Sequence, residues 1–245
     1  MCVNECVAEP MDPTPPSDLV PAAVALFGEW LGVYLMSRHG EWRVHSVSHW
    51  TERYGLFVII AIGESIVAIG SGAANSVLSA SLLTAAVFGV AIAICLWWLY
   101  FDVVAIAAEE EMRRADESRR LTIALEGYTY GHVALIAGIL LAALGVELAL
   151  EVIDHETGIG GFAAFVLLGG LALHLVGHVW FKARVLRSFS RSRAIAALAL
   201  VAAMPLVAAL RSVPALLVPT VILAAVVVWE TMHHAETRRQ LRAAP

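Results

Sequence analysis

Long apolar runs alternate with short polar links along this chain, and the Lys and Arg residues collect in every second link. A transmembrane helix needs about 20 mostly apolar residues. Runs of about that length lie near 19–37, 54–73, 80–105, 121–150, 161–181, 194–210 and 214–232. Arg38, Arg43 and Arg53 follow the first run, and Arg113, Arg114, Arg119 and Arg120 follow the third. Lys182, Arg184, Arg187, Arg191 and Arg193 follow the fifth, and Arg238, Arg239 and Arg242 follow the last. The alternate links hold only Arg211. Cytoplasmic loops carry the excess of Lys and Arg. The expectation is therefore an all-α, polytopic membrane bundle of about seven spans, N-terminus outside and C-terminus cytoplasmic. Only 15% of the residues are charged, where a soluble domain carries about 25%.

Three segments follow. Residues 1–18 are acidic and rich in proline (Pro10, Pro13, Pro15, Pro16), without Lys or Arg, and read as a disordered tail. Residues 19–232 form the bundle, and 233–245 a polar cytoplasmic tail. The N-terminus lacks the basic region of a signal peptide. Trp97-Trp98-Leu99-Tyr100-Phe101-Asp102 is the aromatic belt of a headgroup boundary. The charged stretch 109–120 reads as a solvated helical extension. Cys2, Cys6 and Cys95 make neither a CxxC pair nor a Cys/His cluster of zinc spacing, so no metal-thiolate site is expected.

Function must then come from polar groups inside the spans. Glu29, Glu64, Asp102, Glu126, Glu147 and Glu230 lie within or at the ends of runs, with His132, His174 and His178. An ionised acid at mid-bilayer costs about 2.5–3.5 kcal/mol on insertion scales. No Lys or Arg lies well inside a run, so these acids are expected to lack a basic partner. Glu64 sits near mid-run among small residues (Ala61, Gly63, Ser65, Ala68, Gly70) that admit another helix closely. The expected pathway is a wet entrance from the cytoplasm narrowing at Glu64, with Ser65, Asp102, Glu126, His132, His174 and His178 as accessory groups. Glu52 and Arg53 mark the membrane surface. His174 and His178 share one helix face with Gly170, and Gly177 lies beside it. Three readings stay open for these histidines: packing, a proton relay, or a metal or haem site that draws ligands from another helix such as His132. Gly127 and Gly131 form a close-packing pair. A retinal Schiff base needs a mid-membrane lysine, and the sole lysine, Lys182, ends the fifth run. Walker A, GxSxG and HExxH signatures are absent.

Glu52-Arg53-Tyr54-Gly55-Leu56-Phe57, followed by Ile62-Gly63-Glu64-Ser65, resembles the low temperature requirement protein A (LtrA) family of bacterial membrane proteins. Residues 97–102, Tyr130-Gly131-His132, Gly145-Val146-Glu147 and Leu175-Val176-Gly177-His178 are similar to it as well. The resemblance covers about residues 20–230. It implies a multi-pass protein of the inner membrane and carries over no catalytic residues. Longer members have further N-terminal helices, so the chain reads as a shortened or truncated form.

The expected function is transporter-like handling of protons, cations or a small solute through intramembrane carboxylates, without a cofactor. Two other classes stay open: a membrane redox or metal protein built on the histidines, and a stress-response scaffold without catalysis. Expected partners are membrane lipids, additional helices or a second copy, and no nucleic acid.

Overall fold

The computed structural model describes residues 46–74 and 76–233, together with the isolated helical positions Pro21, Val24, Gly28 and Leu31. The chain divides into two compact units, Met1–Arg43 and Val44–Pro245. The expected first span and tail, with Glu29, lie outside the described residues apart from those four positions. The elements below belong to the second unit.

Every regular element among the described residues is helical. They are α1 (Val47–Ala73), α2 (Ala80–Phe101), α3 (Val104–Arg114), α4 (Glu117–Thr122), a π-helical stretch (Ile123–Tyr130), α5 (Gly131–Glu151), α6 (Gly161–Val185), α7 (Arg191–Ala209) and α8 (Ser212–His233). Two spans are composite: α2 runs through Asp102 and Val103 into α3, and α4, the π-helix and α5 follow one another without a break. Six helical stretches are thus long and apolar enough to cross a membrane, with mean hydropathy from 1.9 to 2.5. These six correspond to the second through seventh expected spans.

The ends are set by local chemistry. Ser46 and Ser79 accept hydrogen bonds from the first-turn amides of His49 and Leu82 at 3.3 and 3.2 Å, as N-caps do. Asp116 caps α4 through the Arg119 amide at 2.8 Å. The charged stretch 109–120 is helical on either side of a break at Ala115 and Asp116, and two of its arginines turn inward. Arg119 donates to the carbonyls of Arg184 and Val185 at 2.6 and 3.1 Å, closing the end of α6. Arg120 donates to Met112 and Ala115 at the end of α3. Basic side chains satisfy terminal carbonyls in this way.

The long helices contact one another in a closed ring: α1, α5, α6, α7, α8, α2 and back to α1. The tightest seam joins α5 and α6, and it is made by missing side chains. A Cβ on Gly138 would lie 2.6 Å from the His174 backbone nitrogen, and one on Gly170 would lie 2.5 Å from that of Ala142. One on Gly145 would meet the Leu167 backbone. Backbones therefore touch along this crossing. As a result α6 is the most enclosed helix, with 67% of its apolar window buried against 28% for α7. By contrast α1 leaves Leu56, Phe57, Ile59, Ile60 and Val67 exposed, as a surface meeting lipid or a further helix does.

Candidate functional site

At the seam, four polar side chains are held without access to water. His132 enters from the second residue of α5, His174 and His178 from successive turns of α6, and Tyr100 from the end of α2. None is more than 1% exposed. The close approach at Gly138 brings the His174 Nδ1–H to the Leu135 carbonyl at 3.0 Å. That bond leaves His174 Nε2 as an acceptor, so the His178 Nε2–H at 3.1 Å donates to it. The His178 Nδ1 is then a buried acceptor, without a hydrogen-bond partner among the described residues. Alongside, Tyr100 Oη and His132 Nε2 lie 2.8 Å apart. The two pairs are neighbours, with the Tyr100 and His178 rings 6.1 Å apart.

An aromatic shell fixes this arrangement. The Tyr128 ring stacks on His132 at 5.2 Å and 9°. Phe181 meets His132 edge-on at 5.2 Å, and Tyr54 lies 4.9 Å away. Tyr128 is carried by the π-helix, whose wider turn lets Thr129 Oγ1 reach back five residues to the Ala124 carbonyl at 3.0 Å. Thr129 also bonds Tyr54 Oη at 2.9 Å, tying α1 to the shell. Such π segments occur often at functional sites. Gly127 and Gly131 pack against Val185 and Phe181, the close contact their spacing predicts.

A cavity of about 400 Å³ opens beside the cluster, bounded by Tyr100, Tyr128, Thr51 and the carboxylates Glu52 and Glu109. Glu109 accepts from Ser48 Oγ at 3.1 Å and pairs with Arg113. Arg53 stacks over the Trp50 ring at 4.9 Å. Tyr100 both lines this cavity and bonds a histidine of the cluster.

The sequence-predicted residues divide. His132, His174 and His178 come together. Glu64 lies on the exposed face of α1, and the described residues do not bring it to the histidines. Ser65 is buried, with its hydroxyl donating to the Ala61 carbonyl at 3.3 Å. Glu126 is half-buried and pairs with Arg184 at 3.1 Å. Asp102 borders a second cavity of about 400 Å³ with Lys182, Arg193 and Glu230. There Arg193 grips Glu230 with Nε–Oε1 at 3.0 Å and Nη2–Oε2 at 2.7 Å. Ser190 and Ser192 donate to the same carboxylate, and Arg193 Nη2 also reaches the Leu99 carbonyl at 3.1 Å. The expectation that the acids lack basic partners is therefore corrected for Glu126 and Glu230. Arg193 belongs to the first turn of α7 rather than to a solvated linker, and α7 leans that turn against the end of α8. Tyr100, Tyr54, Tyr128 and Arg193 were missed as site residues. The aromatic belt was the available signal for Tyr100; for Arg193 no local pattern marks burial.

Among the described residues, no group of three or more His, Cys, Asp or Glu side chains lies at metal-holding separation.

An uncharacterized protein of Rhizobium meliloti (strain 1021), RA0937, is 32% identical over 193 residues, which cover 78% of this chain and 46% of that protein. The chain thus spans about half the length of this curated relative. No solved structure matches. The family model described as bacterial low temperature requirement A protein (LtrA) matches residues 9–228, nearly the whole apolar bundle, and the chain belongs to that family.

Proposed function

We propose that this chain is a transporter-like protein of the bacterial inner membrane that passes protons through its buried histidines. The carrying observation is the pair of hydrogen-bonded contacts, Tyr100 to His132 and His178 to His174, enclosed among apolar helices. A neutral imidazole can take a proton on one ring nitrogen and give one up from the other, and intramembrane His chains serve proton relays. Glu52 and Glu109 at the cavity rim attract cations toward Tyr100. The carboxylates outside this cluster are accessory in this reading. The orientation is N-terminus outside and C-terminus cytoplasmic, supported by the gathering of Lys and Arg in alternate links. The exposed apolar face of α1 takes lipid, additional helices or a second copy of the chain.

The test is proton flux into vesicles carrying the purified chain and a trapped pH-sensitive dye, driven by a potassium diffusion potential. The chain should raise flux above that of protein-free vesicles. Tyr100→Phe and His178→Gln should each return it to that background while the protein still unfolds cooperatively on heating. Background flux from the unsubstituted chain, or full flux from both variants, refutes the proposal.

A further inference from the structure

The cavity bordered by Arg193 is separate from the histidine cluster, and the relay makes no use of it. Its walls are of two kinds. Trp98, Leu99, Val103, Phe189 and Val227 give an apolar surface, and Asp102, Lys182, Arg193 and Glu230 supply formal charges of both signs. It lies at the end of the bundle where Arg184 and Arg187 also collect and where Trp97 and Trp98 form an aromatic pair. Such aromatics sit at headgroup depth.

Two observations point to an occupant. Arg193 is 2% exposed, and its Nη1 is buried without a hydrogen-bond partner among the described residues, although Nε and Nη2 are engaged. A buried donor left in this state is disfavoured, and a ligand oxygen relieves it. Lys182 borders the same space and makes no ion pair among the described residues. The lining offers charges of both signs, so each end of a zwitterion finds an opposite charge there. The volume, about 400 Å³, falls at the low end of ligand sites.

We propose that this cavity seats the headgroup of an amine-bearing phospholipid, its phosphate toward Lys182 and Arg193 and its ammonium toward Asp102 and Glu230. The glycerol and upper acyl chain lie along Trp98, Phe189 and Val227. The lipid is favoured over a free zwitterion because most of the wall is apolar and the opening is at headgroup depth. No bond is made or broken; the site holds a structural lipid and bridges the ends of α2, α6 and α8.

The experiment is thermal unfolding of the detergent-purified chain with added dioleoyl-phosphatidylethanolamine, dioleoyl-phosphatidylglycerol, dioleoyl-phosphatidylcholine or soluble glycerophosphoethanolamine. Phosphatidylethanolamine at about tenfold over its dissociation constant should raise Tm by about 3 °C or more. Phosphatidylglycerol lacks the amine, and the amine of phosphatidylcholine donates no hydrogen bond, so both should raise it less. Lys182→Gln and Asp102→Asn should each remove the selective rise. Equal rises with all three lipids, or a selective rise that survives both substitutions, overturn the proposal. A rise with glycerophosphoethanolamine that matches the lipid overturns the assignment of a lipid. The proton-flux reading is untouched by either result.

Discussion

Gly169 and Gly170 are neighbours in α6 that face different helices, and they separate a close backbone crossing from ordinary packing. An added Cβ at Gly170 would lie 2.5 Å from the Ala142 nitrogen and 2.8 Å from the Gly138 oxygen, both backbone atoms of α5. Ordinary contact begins near 3.4 Å, so α5 and α6 must part by about 0.9 Å. Overpacking of this kind costs about 1–3 kcal/mol, and the helix-propensity gain of about 1 kcal/mol for Gly to Ala offsets only part. Gly170→Ala should therefore lose up to about 2 kcal/mol. An added Cβ at Gly169 would meet the flexible end of Met204 at 3.5 Å, already an ordinary contact. Gly169→Ala should be neutral or gain about 0.5–1 kcal/mol. Unfolding of the purified chain by SDS titration in mixed micelles measures both. Gly170→Ala should also weaken the bond from His174 to the Leu135 carbonyl, because the same parting lengthens it. Equal stability of the two variants, or a loss confined to Gly169→Ala, refutes the crossing.

Two further perturbations test the bundle end. Arg193→Gln leaves the Glu230 carboxylate without its guanidinium and should cost about 3 kcal/mol, whereas the double variant Arg193→Met with Glu230→Met should recover most of it; thermal unfolding of the three proteins distinguishes them. Arg119→Ala removes two bonds to the Arg184 and Val185 carbonyls and should cost about 1 kcal/mol, read as faster amide exchange in the last turn of α6 with little change elsewhere.

Much of the bundle was legible because its signal is additive. Each span sums the hydropathy of about 20 residues, so single polar positions do not erase it, and α6, α7 and α8 fall within about four residues of their expected ends. The second span is the exception, since its helix already begins at Val47 where the apolar run begins at 54. Val104–Arg114 continues the helix past the aromatic belt, because the i, i+4 pairs of Glu109 with Arg113 and Glu110 with Arg114 support a solvated extension. The π-helix was not legible. Its wider turn answers to what Tyr128 and Thr129 meet across the bundle, and Tyr54 on α1 and Phe181 on α6 are both far from it in sequence. The buried pair of Arg193 and Glu230 was hidden for a similar reason: the partners are 37 positions apart and meet through tertiary packing.

The site shows why depth alone is a poor guide to partnership. An acid in the middle of an apolar run draws attention through its insertion cost, and Glu64 has that cost wherever it points. Direction is set by helical phase. On α1 the buried positions Tyr54, Val58, Ala61, Ser65, Ala68 and Gly72 advance by alternating steps of four and three, the period of one helix face. Gly72 shows the consequence: a Cβ there would lie 2.6 Å from the Glu147 carbonyl oxygen of α5. At 3.6 residues per turn Glu64 lies about 80° around the helix from the middle of this stripe, at its edge, and its side chain is exposed. On α6 the same reasoning works in favour of the expectation. Gly170, His174, Gly177 and His178 share the stripe that meets α5, and the small residues that admit the neighbouring backbone are what allow its carbonyl to orient His174. The small residues on a carboxylate's own stripe, rather than those merely near it in sequence, indicate which helix it will meet.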